Sequence, residues 1–228
     1  MGADGAIASG KPVILTAAGK AAEVVATSAS AGTPVVFESA ATSYCSATFD
    51  SNENKVVIAY RDEGNSDYGA AVVGTVSGTA ISYGTPVVFN SALSDYESAT
   101  FDSDSNKVVI AYRDAVANGN AIVGTVSGTA ISFGTEAAFD SNGSQHISVT
   151  FDSDSNKVVV AYRDGLSDQG EAAVGTVSGT GISFGTPVAF NAAVTAEISA
   201  TFDSNSNKVV ITYEDKGNSD YGTAIVGT

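Results

Sequence analysis

The sequence has few cationic residues, one cysteine and one histidine. Ten Lys and Arg stand against 25 Asp and Glu, giving 228 residues a net charge of −15 at pH 7. Nucleic-acid-binding proteins present basic surfaces, and anionic membranes attract polybasic segments, so neither class of partner fits this chain. Cys45 is the single cysteine, so the chain cannot form an intrachain disulfide. A catalytic thiol needs an activating base nearby, and because His146 is the only histidine, Cys45 is not expected to be one.

Long hydrophobic runs and helical periodicity are also missing. The first twenty residues lack a charged start followed by a long apolar run, so we expect neither a signal peptide nor a transmembrane segment. No stretch repeats its apolar residues with a useful helical period. The chain is instead rich in Ser, Thr and Val and has 24 Gly, a mixture that suits short strands joined by tight turns.

A unit of about 51 residues is repeated four times. One phenylalanine marks each copy, with spacings of 52, 50 and 51 residues: Phe49, Phe101, Phe151 and Phe202. The unit predicts four strands, because β-branched and aromatic residues alternate with turn residues. In the second copy these strands are 97–102, 107–114, 120–128 and 129–139. Both faces of KVVIAYRD are largely apolar, so the sheet is predicted to be covered on both sides.

A four-stranded sheet every fifty or so residues is typical of a β-propeller blade, whereas a stacked β-solenoid usually has shorter rungs. The sequence therefore predicts an all-β propeller that forms a single domain over 1–228. Its repeats are placed at about 38–89, 90–139, 140–190 and 191–228. Residues 1–37 are predicted to form a degenerate fifth blade. In the four-bladed alternative, the GTPVVF segment of this region supplies the outer strand of the last blade.

The pattern SATFDSxxNKVVIAYRD, followed by GTAIVGTVSGTAISFGTPVVF, covers the chain from about Lys11. It resembles tandem propeller-type repeats of marine bacteriophage and metagenomic proteins, some of which are tail-fibre-like. The resemblance implies a propeller that recognises surfaces, in a virion-associated or extracellular setting. It brings no catalytic residues to this chain.

The loops predict two unlike faces. The turns between the first and second strands read DSNEN, DSDSN, DSDSN and DSNSN, and the turn between the third and fourth strands is VSGT in every complete copy. The remaining loops differ at most positions. This contrast indicates either drift of exposed loops or a recognition face on a fixed scaffold.

Three copies end the second strand with Tyr-Arg-Asp on the variable face. These side chains could line pockets for sugar hydroxyls or a carboxylate. In the structural alternative, Tyr packs between blades while Arg and Asp form ion pairs or cap loops. Tyrosines of the variable loops are further candidates, because exposed Tyr suits sugar stacking. The predicted ligand-binding residues are Tyr60, Arg61, Asp62, Tyr112, Arg113, Asp114, Tyr162, Arg163, Asp164, Tyr44, Tyr68 and Tyr96.

The DSDSN turns are the candidate metal sites. Asp102, Asp104 and Asn106 alternate like the first ligands of a calcium loop, and a second copy repeats them as Asp152, Asp154 and Asn156. Propellers of the integrin type, which these hairpins resemble, carry calcium there. The loop lacks the Gly and the later carboxylate of the full signature, so the favoured interpretation is a turn capped by its own Asp, Ser and Asn side chains.

Catalytic motifs are absent from the sequence, and Glu97 and Glu197 form the only plausible carboxylate pair of a glycosidase. The sequence therefore predicts a non-catalytic module that recognises glycans or a host surface receptor through its variable loops. The alternatives are a purely structural module of a phage-like fibre and, less favoured, a glycoside hydrolase.

Overall fold

The computed structural model describes residues 13–15, 20–23 and 31–227. These residues form β-strands joined by turns, with two short 3-10 helices at Glu63–Asn65 and Lys216–Asn218. The all-β prediction is confirmed. Within the described ranges, no helix is long and apolar enough to cross a membrane. The chain divides into two compact units, Met1–Thr33 and Pro34–Thr228.

The first unit contains an antiparallel hairpin of β1 (Val13–Leu15) and β2 (Ala21–Glu23). Val13 lies opposite Glu23, and Leu15 lies opposite Ala21. Most of the segment predicted as a degenerate blade, 1–37, lies outside the described residues, so the blade prediction for it is not tested.

The second unit consists of four antiparallel sheets, one from each repeat. Sheet I contains β3 (Thr42–Asp50), β4 (Lys55–Asp62), β5 (Tyr68–Ser77), β6 (Ala80–Tyr83) and β7 (Val87–Leu93). Sheet II contains β8 (Asp95–Asp102), β9 (Lys107–Arg113), β10 (Gly119–Ser127), β11 (Ala130–Phe133) and β12 (Ala137–Asp140). Sheet III contains β13 (Ser144–Asp152), β14 (Lys157–Asp164), β15 (Gly170–Ser178), β16 (Gly181–Phe184) and β17 (Val188–Asn191). Sheet IV contains β18 (Thr195–Asp203), β19 (Lys208–Asp215) and β20 (Tyr221–Gly227).

The fourth strand of each complete sheet is broken into two pieces. The segment 129–139 was expected to be one strand, but residues 134–136 interrupt it, and β11 and β12 pair separately with β10. The Gly134 N–H donates to the carbonyl oxygen of Val123 at 2.9 Å, so the interruption stays attached to the same strand. We call the two pieces together the outer strand. Sheet IV has no outer strand among the described residues, because β20 pairs only with β19.

The sheets pack against one another in chain order, and period-two alternation supplies the contacts. On β9, Val109 and Ala111 belong to the core shared with sheet III, whereas Val108 and Ile110 belong to the core shared with sheet I. All four side chains are fully buried. For sheet II the prediction of a sheet covered on both faces is confirmed. Burying a valine or isoleucine side chain stabilises the fold by roughly 1.5–3 kcal/mol.

A recurring serine links each first strand to the next. Ser46 Oγ accepts a hydrogen bond from the Ala99 N–H at 3.0 Å, and Ser98 Oγ accepts one from the Val149 N–H at 3.0 Å. Ser148 Oγ accepts a third from Ala200 at 2.9 Å. The first strands β3, β8, β13 and β18 therefore lie side by side, and the serine that recurs at the same position of each repeat has a structural reason.

Candidate functional site

Each first strand starts with a β-bulge that presents one side chain of variable type. The pairing register shifts at the same place in all four sheets, for example between Asp95 and Ser98. The bulge residue has a left-handed backbone with φ between 48° and 59°, and it is Tyr44, Tyr96, His146 or Glu197. Left-handed backbone is uncommon for non-glycine residues, and bulges re-aim side chains. We call these four residues the bulge row.

The bulge row is continuous. The ring centroids of Tyr44 and Tyr96 are 5.1 Å apart, and those of Tyr96 and His146 are 5.7 Å apart. The row borders a cavity of about 380 Å³, whose other lining residues are Cys45, Glu97, Ile147, Ile198 and Ser199. The arrangement places aromatic faces and polar tips around one concave surface.

Two arginines support the tyrosines of the row through a shared carboxylate. Arg61 Cζ lies 5.8 Å from the centre of the Tyr44 ring, and Arg113 Cζ lies 5.1 Å from the centre of the Tyr96 ring. Both guanidinium groups bond to Asp95, which is 4% exposed; the Arg61 Nη1–Asp95 Oδ1 distance is 2.6 Å. Cation–π contact of this kind favours a fixed ring position. Asp95 thus holds two neighbouring sheets in one arrangement at the site.

The other end of the row is polar. The Glu197 N–H donates to His146 Nδ1 at 3.3 Å. Burial lowers the pKa of His146, which favours the neutral imidazole, and a ring whose Nδ1 accepts this hydrogen bond carries its proton on Nε2. The Glu197 side chain is 78% exposed, with Oε1 3.8 Å from His146 Nδ1. This end can therefore offer a ring N–H donor and a solvated carboxylate.

Glu97 lies next to the row and has an unusual environment. Its side chain is 6% exposed, and both carboxyl oxygens are shielded from solvent. Burial raises the pKa of Glu97 from its ordinary value of 4.5 to about 7. At neutral pH this carboxyl group is divided between its protonated and ionised forms.

Comparisons with known proteins bear on the fold alone. No protein-family model matches the chain, and no curated protein matches it. Among solved structures, the chain is similar to an exo-β-1,3-galactanase from Phanerochaete chrysosporium determined with β-1,3-galactotriose. The TM-score is 0.51 at 10% identity, over 90% of this chain and 46% of that chain. The chain thus spans about half the length of the enzyme. The fold is β-propeller-like.

The predicted Tyr-Arg-Asp trio is separated into three environments. Tyr112 and Tyr162 are wholly buried between sheets, whereas Tyr60 is wholly buried within sheet I against the Phe37 ring. The three hydroxyl groups donate to glutamates, which are Glu38 for Tyr60, Glu136 for Tyr112 and Glu171 for Tyr162. Desolvation by this burial raises the pKa of each phenol far above its usual range. These rings do not line the cavity beside the bulge row.

The remaining members of the trio divide between the site and the loops. Arg61 and Arg113 reach the bulge row, whereas Arg163 pairs with Asp168 at 2.9 Å. The aspartates cap their own loops by accepting backbone N–H groups, as Asp62 does from Gly64 and Asn65, both at 3.1 Å. Asp114 and Asp164 make equivalent bonds.

Of the predicted loop tyrosines, Tyr44 and Tyr96 belong to the bulge row. Tyr68 is half-buried at the start of β5, opposite Asp62 and Leu93. Sequence reasoning did not assign a role to Asp95. It also left His146 as a solvated loop residue, whereas the side chain is in contact with Tyr96 and Glu197. The available signal was one position, two residues before the recurring serine, that reads Tyr, Tyr, His and Glu between similar flanks.

The DSDSN turns are held by their own first aspartate. Asp102 Oδ1 accepts the N–H groups of Asp104 and Ser105, both at 3.0 Å, and its Oδ2 accepts the Ser105 hydroxyl at 2.6 Å. Asp152 repeats these bonds, while Asp104 accepts from Asn156 at 2.6 Å. No three His, Cys, Asp or Glu side chains of the described residues gather at metal-holding distance. Calcium at Asp154 or its counterparts stays a prediction, and the bonds are those that a capped turn requires.

Proposed function

We propose that the protein is a non-catalytic recognition module that binds glycans at the bulge row. The observation that carries this proposal is the row itself. In all four repeats the same left-handed backbone position is occupied by Tyr, Tyr, His or Glu. These residue types are not the ones that favour turns. Unusual backbone at equivalent positions, two of them exposed and two half-buried, is a feature that clusters at functional sites.

The chemistry of the row suits a sugar. Tyrosine offers an apolar ring face and a hydroxyl group, so it can contact the C–H face of a pyranose and its hydroxyls together. Arg61 and Arg113 stiffen the rings, and the exposed carboxylate of Glu197 accepts hydrogen bonds from hydroxyl groups. The similar galactanase was determined with β-1,3-galactotriose, which makes that oligosaccharide a reasonable first probe.

The number of blades and the biological setting are part of the same proposal. We infer that sheets I–IV are consecutive blades of a propeller, with residues 1–37 as a thin fifth blade. The resemblance to phage tail-fibre-like repeats supports a virion-associated or extracellular setting and a host surface as the source of the glycan. A purely structural role in a fibre is the competing possibility, and it predicts no glycan binding.

The test is a glycan array that includes β-1,3-galactotriose, followed by titration calorimetry on each hit. We expect Tyr96→Ala and Tyr44→Ala to weaken binding by at least about tenfold, since stacked aromatic contacts are worth on the order of 1.4 kcal/mol or more. Tyr221→Ala is the matched control, because Tyr221 is exposed but lies outside the row. Circular dichroism checks that each variant is folded.

Two results would contradict the proposal. One is the absence of any saturable glycan ligand on the array. The other is a ligand whose affinity is unchanged in folded Tyr44→Ala and Tyr96→Ala but reduced in Tyr221→Ala, which would move the binding surface away from the row.

Glycoside hydrolysis is the second candidate, and one observation favours it. Glu97 and Glu197 line the same cavity, one buried with a pKa of about 7 and the other exposed, as an acid and a carboxylate partner would be. The shielded oxygens of Glu97 favour recognition instead, because they do not reach the cavity surface. Turnover of β-1,3-galactotriose that is abolished in both Glu97→Gln and Glu197→Gln would reverse this preference.

A further inference from the structure

The sequence contains two Asn-Gly dipeptides, Asn118–Gly119 and Asn142–Gly143, and the structure places them in different backbone environments. Asparagine is among the chemically labile residues, and a glycine that follows it has no side chain to shield the backbone nitrogen from the Asn amide. Because the residue that follows is the same in both, the sequence alone gives the two sites similar reactivity. A difference between them has to come from the fold.

The Asn142–Gly143 dipeptide lies in the loop between β12 and β13, where Asn142 is exposed and Gly143 is half-buried. Gly143 has a φ of 98°, and its N–H makes no hydrogen bond to another described residue. A Cβ atom built on Gly143 would meet nothing closer than 3.7 Å, so there is room around its backbone. The Gly143 nitrogen can therefore move toward the side chain of Asn142 without breaking a strand.

The backbone of Gly119 is fixed, in contrast. Gly119 is buried at the start of β10, between β9 and β12, and pairs with both of these strands. A Cβ atom on it would lie 2.3 Å from Phe139 Cε2 and 2.3 Å from Ser144 Oγ, so its surroundings are tightly packed. Backbone groups inside a paired sheet become mobile only when the sheet opens. The Gly119 nitrogen therefore reaches the Asn118 side chain only after local unfolding.

The side-chain amides of the two asparagines have similar partners. Asn142 Nδ2 donates to Asp164 Oδ2 at 3.0 Å, and Asn118 Nδ2 donates to Asp114 Oδ2 at 3.3 Å. Each amide is thus bonded to the aspartate that caps a loop. The two sites share their side-chain chemistry and differ in their backbone, so Asn118 is an internal control for Asn142.

We propose that Asn142 is a site of spontaneous deamidation, at which the Gly143 backbone nitrogen attacks the side-chain amide. A C–N bond forms between this nitrogen and Asn142 Cγ, and the amide nitrogen leaves as ammonia with the proton that the Gly143 nitrogen gives up. Water then opens the cyclic imide at one of its two carbonyl groups, which leaves a carboxylate on an aspartyl or isoaspartyl residue. One water is consumed and one ammonia is released, and no oxidant or cofactor takes part.

The carboxylate formed at position 142 lies among aspartates that hold the neighbouring loops. It replaces a donor that is 3.0 Å from Asp164 Oδ2, and the Asn142 N–H binds Asp140 Oδ1 at 3.0 Å. Like charges this close disfavour one another. The same segment joins two sheets, because the Ser144 N–H of sheet III donates to the Ala117 carbonyl oxygen of sheet II at 3.0 Å. Deamidation therefore weakens the loop contact between sheets II and III.

The first test measures the reaction itself. The folded chain is incubated at pH 8, and peptide mapping by mass spectrometry follows the deamidated form of each site. We expect Asn142 to react at least about tenfold faster than Asn118, because the sheet protects Gly119. In urea, where both segments are unfolded, the two rates should be equal. The proposal is overturned if Asn118 reacts as fast as Asn142 in the folded chain, or if Asn142 reacts only in urea.

The second test measures the consequence with two variants. Asn142→Asp and Asn142→Ala both remove the donor to Asp164, but only Asn142→Asp adds a charge. We expect Asn142→Asp to have the lower Tm and the faster amide exchange at Ser144, and high salt should reduce the difference. Equal Tm values and equal exchange for the two variants would show that the carboxylate does not weaken the loop contact.

Discussion

The two ends of each first strand make an informative comparison. At its far end the strand enters the DSxxN turn, whose last residue is Asn54, Asn106, Asn156 or Asn207, all with φ between 54° and 56°. At its near end lies the bulge row, with φ between 48° and 59°. The backbone requirement is the same, yet one end always uses Asn, which tolerates it, and the other uses Tyr, His or Glu.

The difference shows which positions of the repeat are needed for folding and which present side chains to a neighbour or a ligand. In the turns, the polar side chains hydrogen-bond to the backbone of the turn itself, as Asp102 does. In the bulge row, side chains contact one another across sheets and border a cavity. If this distinction is correct, substitutions at the turn end should change stability alone, and those at the bulge end should also change binding.

The largest effect is expected from Asp95→Asn. It leaves Arg61 and Arg113, whose side chains are only 21% and 25% exposed, without their shared anion. Removing one partner of such a pair costs about 3 kcal/mol. Urea denaturation measures the loss. Asp67→Asn is the control, because Asp67 pairs with Arg61 at the surface and should cost under about 1 kcal/mol; equal losses would mean that Asp95 has no special role.

Glu97 should make stability depend on pH. Its pKa is raised from 4.5 to about 7 on folding, so the folded state holds the extra proton between these values. The free energy of unfolding therefore falls as pH rises through this window, by about 3 kcal/mol in total. Glu97→Gln should match the wild type at pH 4 and exceed it by that amount at pH 8.

The control for this pH experiment is Glu197→Gln, since Glu197 is exposed. Its difference from the wild type should be the same at pH 4 and pH 8. If the stability difference between Glu97→Gln and the wild type were also the same at pH 4 and pH 8, the prediction would be wrong. The pKa of the Glu97 carboxyl group would then not be raised by folding.

At the turn end, Asp102→Ala should cost about 1–2 kcal/mol, because three hydrogen bonds to a buried carboxylate are lost. Asp104→Ala, at an exposed position of the same turn, should change stability by under about 0.5 kcal/mol. Both variants should leave glycan binding unchanged. Reduced binding in folded Asp102→Ala would break the separation between the two ends.

A smaller effect is expected at Asn106. Asn106→Ala should cost about 1 kcal/mol, because alanine is disfavoured in the left-handed region. Asn106→Gly should lie within about 0.5 kcal/mol of the wild type. Thermal melts of the two variants are sufficient, and a larger loss for Gly than for Ala would mean that the Asn side chain, rather than its backbone, is what the turn needs.

The smallest effect concerns calcium. Since Asp102 and Asp152 already use both carboxylate oxygens in their turns, adding millimolar calcium should leave Tm unchanged. A calcium-dependent rise that disappears in Asp104→Asn with Asp154→Asn would instead favour the metal interpretation of these turns.

Much of the fold could be predicted because the same pattern of strands and turns occurs in four copies of the repeat. Period-two alternation placed Tyr112 on the same side as Val108 and Ile110, and that side is core. The second strand was expected at 107–114 and is found at Lys107–Arg113. The break in the outer strand was missed, since Phe-Gly-Thr-Glu-Ala reads as continuous when the pairing partner is unknown.

The site was harder to predict for a physical reason. A bulge is a change of register between two strands. Gly or Asn at such a position would indicate left-handed backbone in the sequence, but Tyr96 and Glu197 do not. The Arg61–Asp95–Arg113 bridge joins side chains from two repeats, so its existence depends on how the sheets pack. Composition and spacing within one repeat do not contain that information.

The serine bridge between first strands has a consequence for how such chains change in length. Sheets I–III each offer one hydroxyl acceptor to the sheet that follows, and sheets II–IV each offer one backbone donor to the sheet that precedes. When recombination duplicates or removes a whole repeat, every new junction still joins a donor to an acceptor. The number of units can therefore vary through gene rearrangement without a compensating substitution at the new boundary.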